Sequence, residues 1–181
     1  LRLLQGDVGC GKTVVAAMAL LAAVGAGHQG AFMAPTEVLA TQHHRVLTDL
    51  LSQMRDPPKV ALLTGSTKTA ERAQILEELN DGKIGIIVGT HALIHEKVVF
   101  SSLGIAVVDE QHRFGVEQRA GLLAKGKLPP HMLTMSATPI PRTLAMTKFG
   151  EMALSVIDEK PAGRLPIITT VCGVDEHSQA Y

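Results

Sequence analysis

The chain has 181 residues, 46% of them hydrophobic and 19% charged, which is enough apolar material for one domain of ordinary size and excludes a second full one. Seventeen basic residues balance seventeen acidic ones, which excludes a polybasic tail or a long-range electrostatic trap for nucleic acid. Aromatic residues make up 3%, with no Trp, so a base-stacking platform is excluded too, and any hold on nucleic acid must be local and through its backbone.

In chain order, short aliphatic runs alternate with helical patterns. Strands are predicted at residues 1–4, 31–34, 60–63, 84–88, 105–108, 132–135 and 154–157, and helices at 13–25, 37–51, 69–80, 117–124 and 141–149. This alternation predicts an α/β domain with a mainly parallel sheet and helices on both faces. Asp56-Pro57-Pro58 and Leu128-Pro129-Pro130 read as loops, because proline fixes φ and biases the preceding residue away from helix. The longest apolar run, residues 14–24, is well short of the roughly 20 residues that cross a bilayer, so it reads as a buried helix.

After Ile157 the polar run Asp158-Glu159-Lys160-Pro161-Ala162-Gly163-Arg164 reads as a linker, taken to residue 166. Residues 167–181 are too short for a strand-helix-strand crossover and read as the truncated start of another domain. Opening at Leu1 without Met and with no secretion signal, the chain reads as a fragment truncated on its N-terminal side. Cys10 and Cys172 lie far apart with no metal-ligand spacing, which suits a reducing cytoplasm.

Two motifs carry chemistry. Gly6-Asp7-Val8-Gly9-Cys10-Gly11-Lys12-Thr13 satisfies GxxxxGK[ST] between a predicted strand and a predicted helix. Glycines let such a loop curl so that its N–H groups face phosphates, and the helix N-terminus adds a favourable dipole. Lys12 is expected to reach the β- and γ-phosphates, and Thr13 to place its hydroxyl on Mg²⁺. Ile105-Ala106-Val107-Val108-Asp109-Glu110 is an aliphatic strand ending in two acids. There Asp109 would hold Mg²⁺, directly or through water, and Glu110 would polarise the attacking water. The pair predicts ATP and Mg²⁺ as cofactors. A GTPase would show an Asn-Lys-x-Asp motif, whereas the only Asn is Asn80, followed by Asp81-Gly82. Small-molecule kinases stay open on the phosphate loop alone. His43-His44 lacks a partner ligand at matching spacing and reads as a solvated helix face, while Met132 and Met135 read as core filler.

Further strings narrow the class. Asp109-Glu110-Gln111-His112 resembles the DExH box of superfamily-2 helicases, and Ser136-Ala137-Thr138 resembles their coupling motif III. Ala34-Pro35-Thr36-Glu37-Val38-Leu39-Ala40 resembles motif Ia, and Gly89-Thr90-His91-Ala92-Leu93-Ile94 is similar to a Gly-Thr-His segment of DNA translocases in that superfamily. Residues 109–116, 137–143 and 158–164 are similar to the RecG family. The resemblance implies a RecA-like P-loop NTPase lobe at 1–157, joined through the linker to the start of a second motor lobe. It also implies ATP-driven remodelling of branched DNA, such as stalled forks and recombination junctions. The implied partners are branched duplex DNA, the second motor lobe and a DNA-recognition domain, the latter two absent from this stretch.

By the same resemblance Gln111, His112, Ser136, Ala137 and Thr138 couple the γ-phosphate to the DNA face. Pro35, Thr36 and Glu37, Thr64, Gly65 and Ser66, and Thr90 and His91 would contact DNA phosphates through amides and hydroxyls. Cys10 stands where the family more often has Ser. Transcription-repair coupling and replication-restart translocases are the nearest alternatives, and Gln111 favours RecG because those relatives more often carry Glu there. A DExH RNA helicase is a further alternative. Intact Lys12, Asp109 and Glu110 argue against a non-catalytic ATP-dependent binding module. Without its second lobe the fragment is expected to hydrolyse ATP poorly.

Overall fold

The computed structural model describes residues 1–110, 114, 116–138 and 152–159. Seven strands form one sheet: β1 (Arg2–Gly6), β2 (Gln29–Met33), β3 (Val60–Leu63), β4 (Ile86–Gly89), β5 (Leu103–Val108), β6 (His131–Ser136) and β7 (Ala153–Ile157). Their order is β3-β4-β2-β5-β6-β1-β7 and every pairing is parallel. Helices α1 (Lys12–Gly25), α2 (Glu37–Leu51), α3 (Thr69–Asn80) and α4 (Val116–Leu123) follow β1, β2, β3 and β5. A 3-10 turn, His91–Ile94, follows β4.

The inner strands are apolar on both sides because each face of the sheet is covered, which is why they read as unbroken aliphatic runs. Side chains alternate by the period of two. Phe32, Ile86, Val88, Ile105 and Val107 face one core with Ala16, Ala17 and Leu20 of α1 and Ala40, Leu47 and Leu51 of α2. Ala31, Met33, Ile87, Ala106 and Val108 face the other, with Ile75 and Leu79 of α3, Leu93 of the 3-10 turn and Leu122 of α4. Met132 and Met135 are buried in these two cores as expected. The fold is the expected α/β sheet with helices on both faces.

Element boundaries match closely, with one instructive difference. β2 begins at Gln29 rather than at residue 31, because this buried polar side chain is satisfied internally. Gln29 Nε2 donates to Leu79 O (2.9 Å) and Ile84 O (2.8 Å), and its Oε1 accepts from Ser102 N (3.1 Å). The helix predicted at 141–149, the linker beyond residue 159 and residues 167–181 lie outside the described residues. β7 pairs with β1, Gly6 opposite Ile157, and is the edge strand among the described residues.

Candidate functional site

All seven strands run parallel, so their carboxyl ends share one edge of the sheet, where ligands of open α/β folds bind. Three neighbours in the sheet, β5, β6 and β1, end there in Asp109, Ser136 and the loop that starts at Gly6. Gln5 pairs with Ser136, and Val108 pairs with Thr134. Asp109 and the Gly6 loop are therefore two strand spacings apart, on the order of 10 Å.

The Gly6–Thr13 segment forms a curl. Gly9 (φ 81°) and Gly11 (φ 99°) take left-handed conformations that cost little only without a Cβ. Gly6 is buried where a Cβ would meet Cys10 Sγ at 2.5 Å, so the Cys10 side chain packs against the loop's base. Val8 N donates to Asp7 Oδ1 (2.7 Å) and Cys10 N to Asp7 O (3.3 Å), setting the turn. The Lys12 ammonium folds under the curl and donates to Gly6 O (2.7 Å) and Asp7 O (2.9 Å). The amides of Lys12 and Thr13 open α1, where no intrahelical acceptor exists for them. A cation held by main-chain oxygens, beside unsatisfied helix amides, fits a polyphosphate.

Asp109 continues the ladder, its N–H donating to Met33 O (2.9 Å), and its side chain is 12% exposed. Glu110 follows at φ 48°, a left-handed conformation that costs a non-glycine residue about 1 kcal/mol. Ser136 is buried at the end of β6. Its Oγ lies 2.9 Å from Thr138 Oγ1 and accepts from Thr138 N (3.2 Å), folding Ser136, Ala137 and Thr138 into a hydroxyl turn between the other two loops. Gln111 and His112 lie outside the described residues.

One partner of Asp109 corrects the sequence-based expectation. His43 is no solvated residue: its Nε2 lies 2.9 Å from Asp109 Oδ2, its side chain is 12% exposed, and its ring packs on Phe32 with centroids 4.5 Å apart. The reason is physical, since position 43 shares a helix stripe with the buried Ala40, Leu47 and Leu51. His44 turns elsewhere, toward Val60 O at 3.4 Å.

A second group of loops follows β2, β3 and β4 on the other half of the same edge. Thr36 caps α2, its side chain accepting from Leu39 N (3.3 Å). Glu37 bridges to the next loop, accepting from Ser66 N (3.1 Å) and Ser66 Oγ (2.6 Å). The Ser66 hydroxyl is the main cause holding the Glu37 carboxyl below the usual range, with the amides of Ser66 and Gly65 and the nearby His91 adding to it. Arg72 of α3 donates to Thr64 O and braces the same loop. Thr64 and Thr90 are buried, and the Thr90 hydroxyl has no hydrogen-bond partner among the described residues. Thr36, Glu37, Gly65, Ser66 and His91 are exposed, and Pro35 is half-buried.

Cavities of about 660 and 680 Å³ lie at the opposite edge, around residues such as His28, Leu103, Pro130 and His131 where β2, β5 and β6 begin. They hold none of the groups above. The helices cannot cross a bilayer, since among the described residues none is long and apolar enough.

The chain is similar to ATP-dependent DNA helicase RecG of Bacillus subtilis, with 58% identity over 168 residues, covering 93% of the chain and 24% of that protein. RecG of Synechocystis sp. is 57% identical over 99% of the chain and 21% of its own length. Among solved structures, one of RecG bound to a three-way DNA junction superposes with a TM-score of 0.82 at 44% identity, covering 99% of the chain and 24% of that one. The chain thus spans about a quarter of these relatives, and the similarity to RecG read from short strings extends through nearly all of it. The model of the DEAD/DEAH box helicases matches residues 2–147, from β1 past the hydroxyl turn, and the chain belongs to that family.

Proposed function

We propose that residues 1–157 are the ATP-binding lobe of a two-lobe motor that remodels branched DNA, with residues 158–166 as linker and 167–181 as the start of the second lobe. The observation that carries this reading is the adjacency of the Gly6–Thr13 curl, the Ser136 turn and Asp109 on three neighbouring strand ends. The relatives named for RecG support DNA, and the RecG structure with a three-way junction supports a branched one.

In this reading the curl from Gly6 through Asp7, Val8, Gly9, Cys10 and Gly11 wraps the phosphates with its amides. Lys12 leaves the carbonyls of Gly6 and Asp7 and transfers its ammonium to the β- and γ-phosphate oxygens. Thr13 and Asp109 hold Mg²⁺, Asp109 directly or through water. When bound there, Mg²⁺ would supply positive charge to neutralise the phosphates. Glu110, set by its left-handed backbone just beyond Asp109, accepts the proton of the attacking water. Gln111, His112 and the Ser136-Ala137-Thr138 turn relay loss of the γ-phosphate. Pro35, Thr36, Gly65, Ser66 and His91 offer amides and hydroxyls to DNA phosphates, while Glu37 fixes the first two loops to one another. A neutral surface read through the backbone suits recognition of shape over sequence. The motor is assigned to the cytoplasm.

The test is steady-state ATP turnover by the complete protein with three-way or forked DNA, linear duplex, single strands and RNA. Stimulation greatest on branched DNA is expected. Stimulation by RNA alone, or a rate indifferent to nucleic acid, would overturn the substrate and leave only the nucleotide site.

A further inference from the structure

We propose that His43 is a positioning residue for the Asp109 carboxylate and, through it, for the divalent metal of the nucleotide site, an inference that rests on Asp109 as a metal-holding residue. Three features point to it. His43 comes from α2, on the far side of the seam between β2 and β5, and its side chain is hydrogen-bonded to that of Asp109. The contact is short at 2.9 Å, and both side chains are largely shielded from water at 12% exposure, where a hydrogen bond to a charged group is stronger than at the surface. The donor is also held in place: Phe32, fully buried in β2, packs against the imidazole at 4.5 Å with the ring planes tilted by 40°.

The backbone of Asp109 is fixed by its bond to Met33 O, which leaves the carboxylate free to turn about its side-chain torsions. A donor on Oδ2 removes that freedom. It engages one oxygen and leaves the other for the metal shell, the arrangement by which outer partners orient acidic ligands. A role in packing alone would need only the ring, and any apolar aromatic residue would serve it.

The two roles separate by substitution. His43→Phe keeps a ring on Phe32 and removes the donor, whereas His43→Gln removes the ring and can place an amide N–H near the position of Nε2. In the complete protein, Mn²⁺ binding in the presence of a non-hydrolysable ATP analogue is read by electron paramagnetic resonance, with Asp109→Asn as reference. His43→Phe is expected to weaken Mn²⁺ binding about 10-fold while metal-free nucleotide binding is unchanged, and His43→Gln to recover most of the loss. Wild-type Mn²⁺ affinity in His43→Phe beside a loss in Asp109→Asn overturns the role of His43 alone. Equal losses in the Phe and Gln variants overturn it too, because returning a donor to this position then recovers nothing. Should His43→Phe not fold, a folded His43→Gln protein that binds Mn²⁺ about 10-fold more weakly likewise overturns the positioning role. Unchanged Mn²⁺ affinity in Asp109→Asn instead overturns the assignment of the metal site itself.

Discussion

The Glu37 carboxylate accepts two hydrogen bonds from Ser66, one from the amide at 3.1 Å and one from the hydroxyl at 2.6 Å, and so ties the loops after β2 and β3 together. Gly65 allows the approach, since a Cβ there would lie 2.9 Å from Glu37 Oε1. The bonds favour the ionised acid, with the Ser66 hydroxyl as the main cause, and the folded pKa is depressed. A depressed acid contributes stability above its unfolded pKa and loses it as pH falls through the folded value. Carboxyl NMR should therefore find Glu37 titrating below the ordinary range of about 4.3. Ser66→Ala should move it upward. A Glu37 titration at the ordinary value in the parent protein would show that the brace does not form.

The same carboxylate gives Glu37 an indirect part in the proposed DNA contact, through the brace. Glu37→Gln retains an acceptor for Ser66 and removes a negative charge from the proposed DNA side, so it should bind branched DNA at least as well as the parent. Glu37→Ala loses the brace and should bind more weakly. Fluorescence anisotropy with a labelled junction distinguishes them. Weakened binding by Gln equal to that by Ala would mean that the charge itself, and not the brace, is needed.

Lys12 and Glu110 should fail in different ways. Lys12→Ala removes the proposed donor to the phosphates in both ground and transition states, so nucleotide affinity and turnover should both drop, turnover by about 100-fold or more. Glu110→Gln removes the proposed proton acceptor but leaves the curl intact, so nucleotide should still bind while turnover falls by about 100-fold or more. Equilibrium binding of a fluorescent ATP analogue beside single-turnover hydrolysis separates the two. Retained hydrolysis in Glu110→Gln would move the base to another residue.

How much of the fold and site is legible in the sequence follows from which interactions are local. Bounds of α2 and α3 can be read because their signals lie within a few residues, as in the cap that Thr36 gives to Leu39 N. The nucleotide curl can be read because its glycines, lysine and threonine are contiguous. The early start of β2 cannot, since Gln29 looks polar until its partners at Leu79, Ile84 and Ser102 are known. His43 looks like surface for the same reason: its partner Asp109 lies 66 positions away. The burial of Thr64 and Thr90 is hidden likewise, because a hydroxyl residue at a strand end looks exposed until the neighbouring strands are placed.

Gln29 yields a stability prediction. Gln29→Leu preserves volume roughly but strands the carbonyl of Ile84 and the amide of Ser102 where Gln29 is 4% exposed, while Leu79 O keeps the amide of Gly82 at 3.1 Å. Leaving such groups without partners costs on the order of 1–3 kcal/mol each, partly relieved by water, so a net loss of about 2–4 kcal/mol is expected. Chemical denaturation followed with hydrogen exchange at the Ser102 amide measures it. A loss below about 1 kcal/mol would mean that water replaces the side chain at little cost.

Ser136 sits where the two halves of the proposed nucleotide site meet, with Asp109 on one neighbouring strand and the Gly6 curl on the other. Its hydroxyl is turned onto Thr138 rather than toward either neighbour, accepting from Thr138 N at 3.2 Å and lying 2.9 Å from Thr138 Oγ1. Ser136→Ala removes both contacts while leaving Lys12, Asp109 and Glu110 untouched, so the loop that leaves β6 should lose its fixed shape without loss of the chemical groups. The expected phenotype is a split: ATP turnover on branched DNA within about threefold of the parent, because no group that touches phosphate is removed, and fork unwinding reduced by about tenfold or more. Thr138→Ser keeps the hydroxyl and should preserve coupling, whereas Thr138→Val keeps the shape and should not. Parallel assays of phosphate release and strand separation on one forked substrate decide the matter. If Ser136→Ala lowers both rates in proportion, the turn belongs to the chemistry of hydrolysis and the relay must run through other residues.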